Sequence, residues 1–150
     1  MAAGAWQIYD TFKLHMAGGL IDLDADIWRT NLTKDTSNAA TDTLSLRSEL
    51  TCECPEANGY SSSGKTLSAT TWTQPSAGTS RFDSTAIFWS ASGGSITSIQ
   101  YAVIWRSAAA VASEFLMGYS QLSTSEFELT TGNRLTITPS ANGIFELTGG

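Results

Sequence analysis

The hydrophobic period of the chain changes once near its start, and the change falls at a pair of glycines. Trp6, Tyr9, Phe12, Lys13 and Met16 recur at three- and four-residue spacing, which gathers the apolar members on one face of a short helix. Gly18-Gly19 then ends that helix, because glycine takes the left-handed cap conformation without steric cost. From Leu20 the period becomes two. Ile21, Leu23, Ala25 and Ile27 alternate with Asp22, Asp24 and Asp26, which predicts a strand with one buried and one acidic face.

Beyond that point the pattern is that of strands. Residues 34–43 are polar and turn-prone and predict a loop, and residues 44–50 read equally as a helical turn or the start of a strand. Residues 51–54 suggest a short strand ending at Pro55, followed by a turn at residues 56–59. Residues 65–73 form a β-rich run with Leu67, Ala69, Thr71 and Thr73 on one face and Thr66, Ser68, Thr70 and Trp72 on the other. A turn over residues 74–78 leads to residues 80–89. There the inward parity shifts between Phe82 and the pair Ile87 and Trp89, and a bulge around residues 83–85 reconciles it. After a Ser92-Gly93-Gly94-Ser95 turn, residues 96–106 are apolar on both faces in their later half, which places them centrally in a sheet. The three alanines at 108–110 make a connection, and residues 114–121 predict a strand with Phe115, Met117 and Tyr119 on one side. Residues 127–131 and 134–138 read as a hairpin with Leu129 opposite Leu135, Phe127 opposite Ile137, and Asn133 in the left-handed position. A last strand covers residues 143–147 with Ile144 and Phe145 on opposite faces.

These short strands, bounded by Gly, Asn and Ser, predict one all-β domain over residues 1–150, a sandwich or barrel, with residues 1–19 as a helical appendage. Only 15% of the residues are charged and the net charge is −6, so the clustered Lys and Arg that a phosphate backbone requires are lacking and no nucleic-acid partner is expected. The first residues carry no basic n-region followed by an apolar run, and no apolar stretch approaches the roughly 20 residues of a membrane helix. The reading is a soluble protein made in a cytoplasm, with no membrane partner, in which Asn31-Leu32-Thr33 matches a glycosylation sequon by chance. Cys52 and Cys54, two apart on one strand face, sit at a spacing poor for a disulfide, and two thiols with one histidine build no ordinary zinc site. They read as reduced and structural.

Several motifs touch on chemistry. Residues 59–66, GYSSSGKT, match the phosphate-binding loop pattern, but the following LSATTWTQP is poor in helix formers, so a Gly-Ser turn leading into a strand is the better reading. Asp22, Asp24 and Asp26 resemble the opening of an EF-hand loop but lack its Gly at the sixth position and Glu at the twelfth. On a strand the three carboxylates would line one face, where they could bind a cation weakly. A solvated edge, or a face meeting basic residues of a partner, is preferred. No metal or cofactor is expected. His15, the only histidine, has no serine in a nucleophile-elbow context. Glu49, Glu53, Glu114, Glu126, Glu128 and Glu146 are scattered, and nothing singles out an acid–base pair. The five tryptophans read as core or subunit-interface residues ahead of a sugar platform.

Four segments together carry a resemblance: IYDTFKLHMAGGLIDLDADIWRTNL, ANGYSSSGKTLSATTWT, RFDSTAIFWSASGGSITSIQYAVIW and LTTGNRLTITPSANGIFEL. In their order and spacing they resemble small tailed-bacteriophage virion proteins, over essentially the whole chain. The resemblance implies a jelly-roll-like antiparallel β-sandwich without catalytic residues, working as a capsid cement or decoration protein. The implied partner is the major capsid protein on the outer face of an icosahedral shell. A homo-oligomer, dimer or trimer, matches the symmetry axes of such a shell. Trp6, Tyr9, Phe12 and the loop at 34–43 are the residues expected to reach the capsid or a neighbouring subunit. The competing readings are a tail, head-fibre or host-attachment component with a carbohydrate-binding sandwich, and a small hydrolase.

Overall fold

The computed structural model describes residues 4–149. Its strands are β1 (Gln7–Ile8), β2 (Ile27–Thr33), β3 (Lys65–Thr66), β4 (Thr71–Ser76), β5 (Thr79–Asp83), β6 (Ile87–Ser90), β7 (Ile96–Ile99), β8 (Tyr101–Ser107), β9 (Leu116–Gln121), β10 (Phe127–Leu129), β11 (Arg134–Ile137) and β12 (Phe145–Thr148), with a single α-helix, α1 (Asp10–Ala17). All pairings are antiparallel. The largest sheet runs β1-β9-β8-β2-β3; a three-stranded sheet runs β12-β5-β4; β10 pairs with β7 and β11 with β6. The fold is an all-β sandwich with one short helix. Among the described residues no helix is long and apolar enough to cross a membrane.

β8 lies at the centre of the five-stranded sheet because Ala102, Val103, Ile104 and Trp105 are apolar towards both faces, and all four are buried. Four aromatic rings tie the layers together. Phe12 of α1 meets Trp28 of β2 at 6.0 Å and Phe145 of β12 at 5.8 Å, while Phe82 of β5 meets Trp28 at 5.8 Å and Phe145 at 5.7 Å. The edge-on geometry of the Phe12 and Trp28 contacts is the arrangement aromatic quadrupoles prefer. The helix is therefore part of the core and not an appendage.

The glycine pair ends α1 as the sequence predicts. Gly19 takes φ +70, its N–H bonds the Met16 carbonyl at 3.2 Å, and the Leu20 N–H bonds the His15 carbonyl at 3.0 Å. The strand expected from Leu20 starts only at Ile27. Over residues 20–26 the aspartates bond the backbone of their own loop. Asp22 Oδ1 accepts from the N–H of Asp24 (3.0 Å) and of Ala25 (3.1 Å), and Asp26 Oδ2 accepts from the N–H of Asp22 (2.8 Å).

The run over residues 65–73 is likewise two pieces, β3 and β4, broken where Ala69 takes φ +50, so that Leu67 and Trp72 both turn inward despite opposite parity. The parity shift between Phe82 and Ile87 is met by a break between β5 and β6. The hairpin of residues 127–138 does not form. β10 pairs with β7 and β11 with β6, and the left-handed residue of the turn is Gly132 (φ +85), not Asn133. Ile144 and Phe145 are both buried, since Ile144 precedes β12 in the turn that leads into it. Cys52 takes φ +53, which rotates it out to solvent while Cys54 is buried, so the two thiols do not share a face; both are free.

Candidate functional site

The N-terminal segment docks along β9. The Ser120 hydroxyl donates to the Gly4 carbonyl at 2.8 Å, Gln7 and Ile8 pair with Tyr119 and Gly118, and the Tyr9 N–H bonds the Met117 carbonyl at 3.1 Å. Of the three residues expected at an interface, two point inward. Tyr9 and Phe12 are both 0% exposed. The Tyr9 hydroxyl donates to the Ala39 carbonyl at 2.6 Å, and its ring packs on Tyr119 at 5.5 Å. Burial, with Tyr119 and Asp42 nearby, pushes the Tyr9 phenol well above its ordinary value. Trp6 is half-buried and lines a half-open groove of about 820 Å³ whose other wall includes Ser140, Asn142, Ile144, Phe145 and Glu146. The outward face of α1 instead carries Leu14, 71% exposed, with Leu20 just past the cap at 52%. Neither belongs to the apolar stripe that the spacing picks out. Their signal is that they fall outside it.

The loop over residues 34–43 forms as expected and packs inward through Ala39. His15 stacks on Phe115 at 4.0 Å, its Nε2 is 3.4 Å from the Ser45 hydroxyl, and burial lowers its pKa. No triad is formed there, because Glu49 accepts from the Ser45 backbone N–H and the His15 Nδ1 has no hydrogen-bond partner among the described residues. Asp26 is committed to Arg106, whose Nε lies 2.8 Å from Asp26 Oδ1. No group of three or more metal-ligating side chains occurs among the described residues.

A buried polar network lies under residues 44–64. Arg29, Asn31 and Trp105 face the same side of the five-stranded sheet, because Arg29 is opposite Trp105 and Asn31 opposite Val103. Asn31 is 0% exposed, so the sequon is closed to modification. Its Oδ1 accepts from the Trp105 indole N–H at 2.6 Å, while its amide donates to Glu53 and to the Ser62 carbonyl. The Tyr60 hydroxyl donates to Glu53 Oε1 at 2.6 Å and accepts from the Leu32 N–H at 3.1 Å. Burial and the adjoining Glu53 raise the Tyr60 pKa far above its ordinary value. The Arg47 guanidinium lies 4.0 Å from the Trp105 ring centroid, pairs with Glu114 at 3.4 Å, and donates to the Ser62 carbonyl.

This network explains the GYSSSGKT segment. Gly64 takes φ +75, and a Cβ there would collide with Asn31 Oδ1 and lie 3.1 Å from the Thr30 carbonyl. Glycine is needed for close packing on β2, and the segment runs into β3 with no helix behind it. The fold also brings Glu53 and Glu114 to one small cavity of about 250 Å³ with Arg47 on its wall, a pairing the sequence did not single out. Both carboxylates are committed, Glu114 to Arg47 and Glu53 to Tyr60 and Asn31. Of the tryptophans, Trp28, Trp89 and Trp105 are buried and Trp6 and Trp72 half-buried, so no exposed sugar platform is built from them.

Set against known protein families, curated protein sequences and solved structures, the chain matches none.

Proposed function

We propose that this chain is a non-enzymatic structural protein of a phage particle. In this reading it is a cement or decoration protein with jelly-roll-like connectivity, made in the host cytoplasm and bound as a homo-oligomer to the major capsid protein on the outer shell. The observation that carries the reading is the outward face of α1. Leu14 and Leu20 are large, apolar and exposed at the end of a helix whose Phe12 is buried in the core and whose Met16 packs against it. Exposed apolar side chains gathered on one part of a surface mark contact sites, and Leu14 and Leu20 stand together at one end of α1. The side chains of Asn31, Glu53, Tyr60 and Arg47 are bonded to one another and to the backbone beneath them, as structural networks are. The docking residues are accordingly Leu14, Leu20 and the exposed edge of Trp6, in place of Tyr9 and Phe12.

The test is cosedimentation with matured, undecorated phage shells, comparing wild type with Leu14→Asp. Binding by the wild type and its loss in a folded Leu14→Asp protein is the expected result. Absence of wild-type binding would overturn the reading. A second reading, a glycan-binding attachment module, draws on the Trp6 groove, where an aromatic wall faces Ser140, Asn142 and Glu146. Saturable binding of a host surface glycan that Trp6→Ala abolishes would favour it.

A further inference from the structure

We propose that the protein self-associates head to tail, the exposed Phe88 face of one copy docking on the Leu20–Ile27 loop of another.

The first half of the contact is a local reversal of sign on an acidic molecule. β6 alternates, with Ile87 and Trp89 buried and Phe88 outward at 42% exposure. Two cations lie over the Phe88 ring, the Arg134 guanidinium 3.6 Å and the Lys65 ammonium 5.6 Å from its centroid. Arg134 reaches it diagonally across the β6–β11 ribbon, because Arg134 pairs with Ser90 and Thr136 with Phe88. Lys65 arrives from the end of the GYSSSGKT segment. Lys13, Arg47, Arg81 and Arg106 are paired with carboxylates, whereas Lys65 and Arg134 have no ion-pair partner among the described residues. In a chain of net charge −6 they form an unneutralised cationic rim around an apolar ring.

The second half has the opposite character. Arg106 clamps the two ends of the Leu20–Ile27 loop, its Nη1 donating to the Leu20 carbonyl at 3.1 Å and its Nε lying 2.8 Å from Asp26 Oδ1. Inside the clamp, the bonds from Asp22 and Asp26 to the loop backbone hold a fixed shape. The loop presents Leu20 and Ile27, 52% and 57% exposed, beside the exposed side chains of Asp22 and Asp24. Neither Asp22 nor Asp24 has an ion-pair partner among the described residues.

One face thus offers an aromatic ring edged by two cations, and the other two aliphatic side chains edged by two carboxylates. Both are braced before contact, the first by cation–ring stacking and the second by Arg106, so little ordering cost falls on association. Apolar centres with complementary charged rims give a docking contact its orientation and its dependence on salt. Because the two faces are different patches of one surface, the contact is heterologous and either closes into a ring or continues as a chain. The contact needs no shell; it takes Leu20 from the residues proposed to face the capsid and leaves Leu14 and Trp6 to them.

The test is sedimentation velocity of the full chain over a concentration series up to millimolar, at low salt and at about 0.5 M salt, where screening removes charge contacts beyond a few ångströms. The wild type is expected to associate with rising concentration and to dissociate in salt. Arg134→Glu and Asp24→Arg should each weaken association by at least about tenfold, since each sets like charges face to face. An equimolar mixture of the two variants should associate again, because the reversed charges then meet their complements. That restoration separates loss of the contact from misfolding of either variant. A wild type that stays monomeric, association that both variants retain, or a mixture that fails to recover would each overturn the proposal. So would a Phe88 face that binds an acidic peptide or an oligonucleotide with no self-association.

Discussion

Replacing Asn31 with Asp changes one atom in the buried network and reverses its logic. The Asn31 amide donates to Glu53 and to the Ser62 carbonyl while its oxygen accepts from Trp105. In Asn31→Asp the acceptor role survives, but the donor becomes an oxygen facing a carboxylate and a carbonyl. Two carboxylates about 4 Å apart repel by about 4 kcal/mol at an effective dielectric of 20. The alternative is to protonate the new carboxyl, which restores a donor. With an ordinary value near 3.9, that costs about 4 kcal/mol at pH 7 and about 1 kcal/mol at pH 4.5. The folded variant therefore binds a proton that the unfolded chain does not, so its stability falls as pH rises. Relative to wild type, Asn31→Asp should lose about 4 kcal/mol at pH 7 and recover about 3 kcal/mol of that at pH 4.5. Asn31→Ala, which leaves the Trp105 indole N–H unpartnered while Arg47 still donates to the Ser62 carbonyl, should lose about 1–3 kcal/mol at both values. Urea unfolding followed by tryptophan fluorescence measures all three proteins. An Asn31→Asp loss that is the same at both pH values would refute the reasoning.

Phe12→Ala should cost about 3–5 kcal/mol in urea unfolding, because it removes a ring that touches both Trp28 and Phe145; a loss below about 1 kcal/mol would mean the helix is peripheral after all. Gly64→Ala should destabilise by about 1–3 kcal/mol or more from backbone strain, read as a lower thermal midpoint. The lowered pKa of His15 means that the unfolded chain takes up its proton first, so stability should fall as pH drops through about 6.5. His15→Gln should flatten that part of the profile, and identical slopes in the two proteins would count against it. Burial pushes the Cys54 thiol up to about 12, so a thiol reagent should label Cys52 alone in the native protein and both cysteines in urea; native double labelling would contradict the burial of Cys54.

What the sequence disclosed was whatever depends on neighbours along the chain. The β8 segment declared itself by being apolar on both faces, the Gly18-Gly19 stop by glycine chemistry, and the strand-like sequel to GYSSSGKT by its β-branched residues. The errors came from bonds that pattern does not carry. Alternation over residues 20–26 is genuine, yet the aspartates bond their own backbone and make a clamped loop. The register of residues 127–138 is right for a hairpin, but β6 and β7 offer longer-range partners and take both strands. Tyr9, extended just before α1, and Phe12 on α1 both turn to the side that the spacing assigns, and only the aromatic cluster from four distant segments decides that this side is core. The network around Asn31 joins residues 22 to 74 positions apart and left no local signal beyond a glycine, Gly64.

The largest sheet ends on both sides in stubs, β1 and β3, each two residues long. A margin that short presents almost no ladder of free backbone groups for another chain to extend. β8, apolar on both faces and prone to pair, is shut in at the middle of five strands. Copies crowded together at high local concentration can therefore meet through side chains without extending this sheet. The vulnerable moment is before residues 4–9 have closed over β9, so a chain shortened by those residues should form amyloid-like aggregates where the full chain forms none.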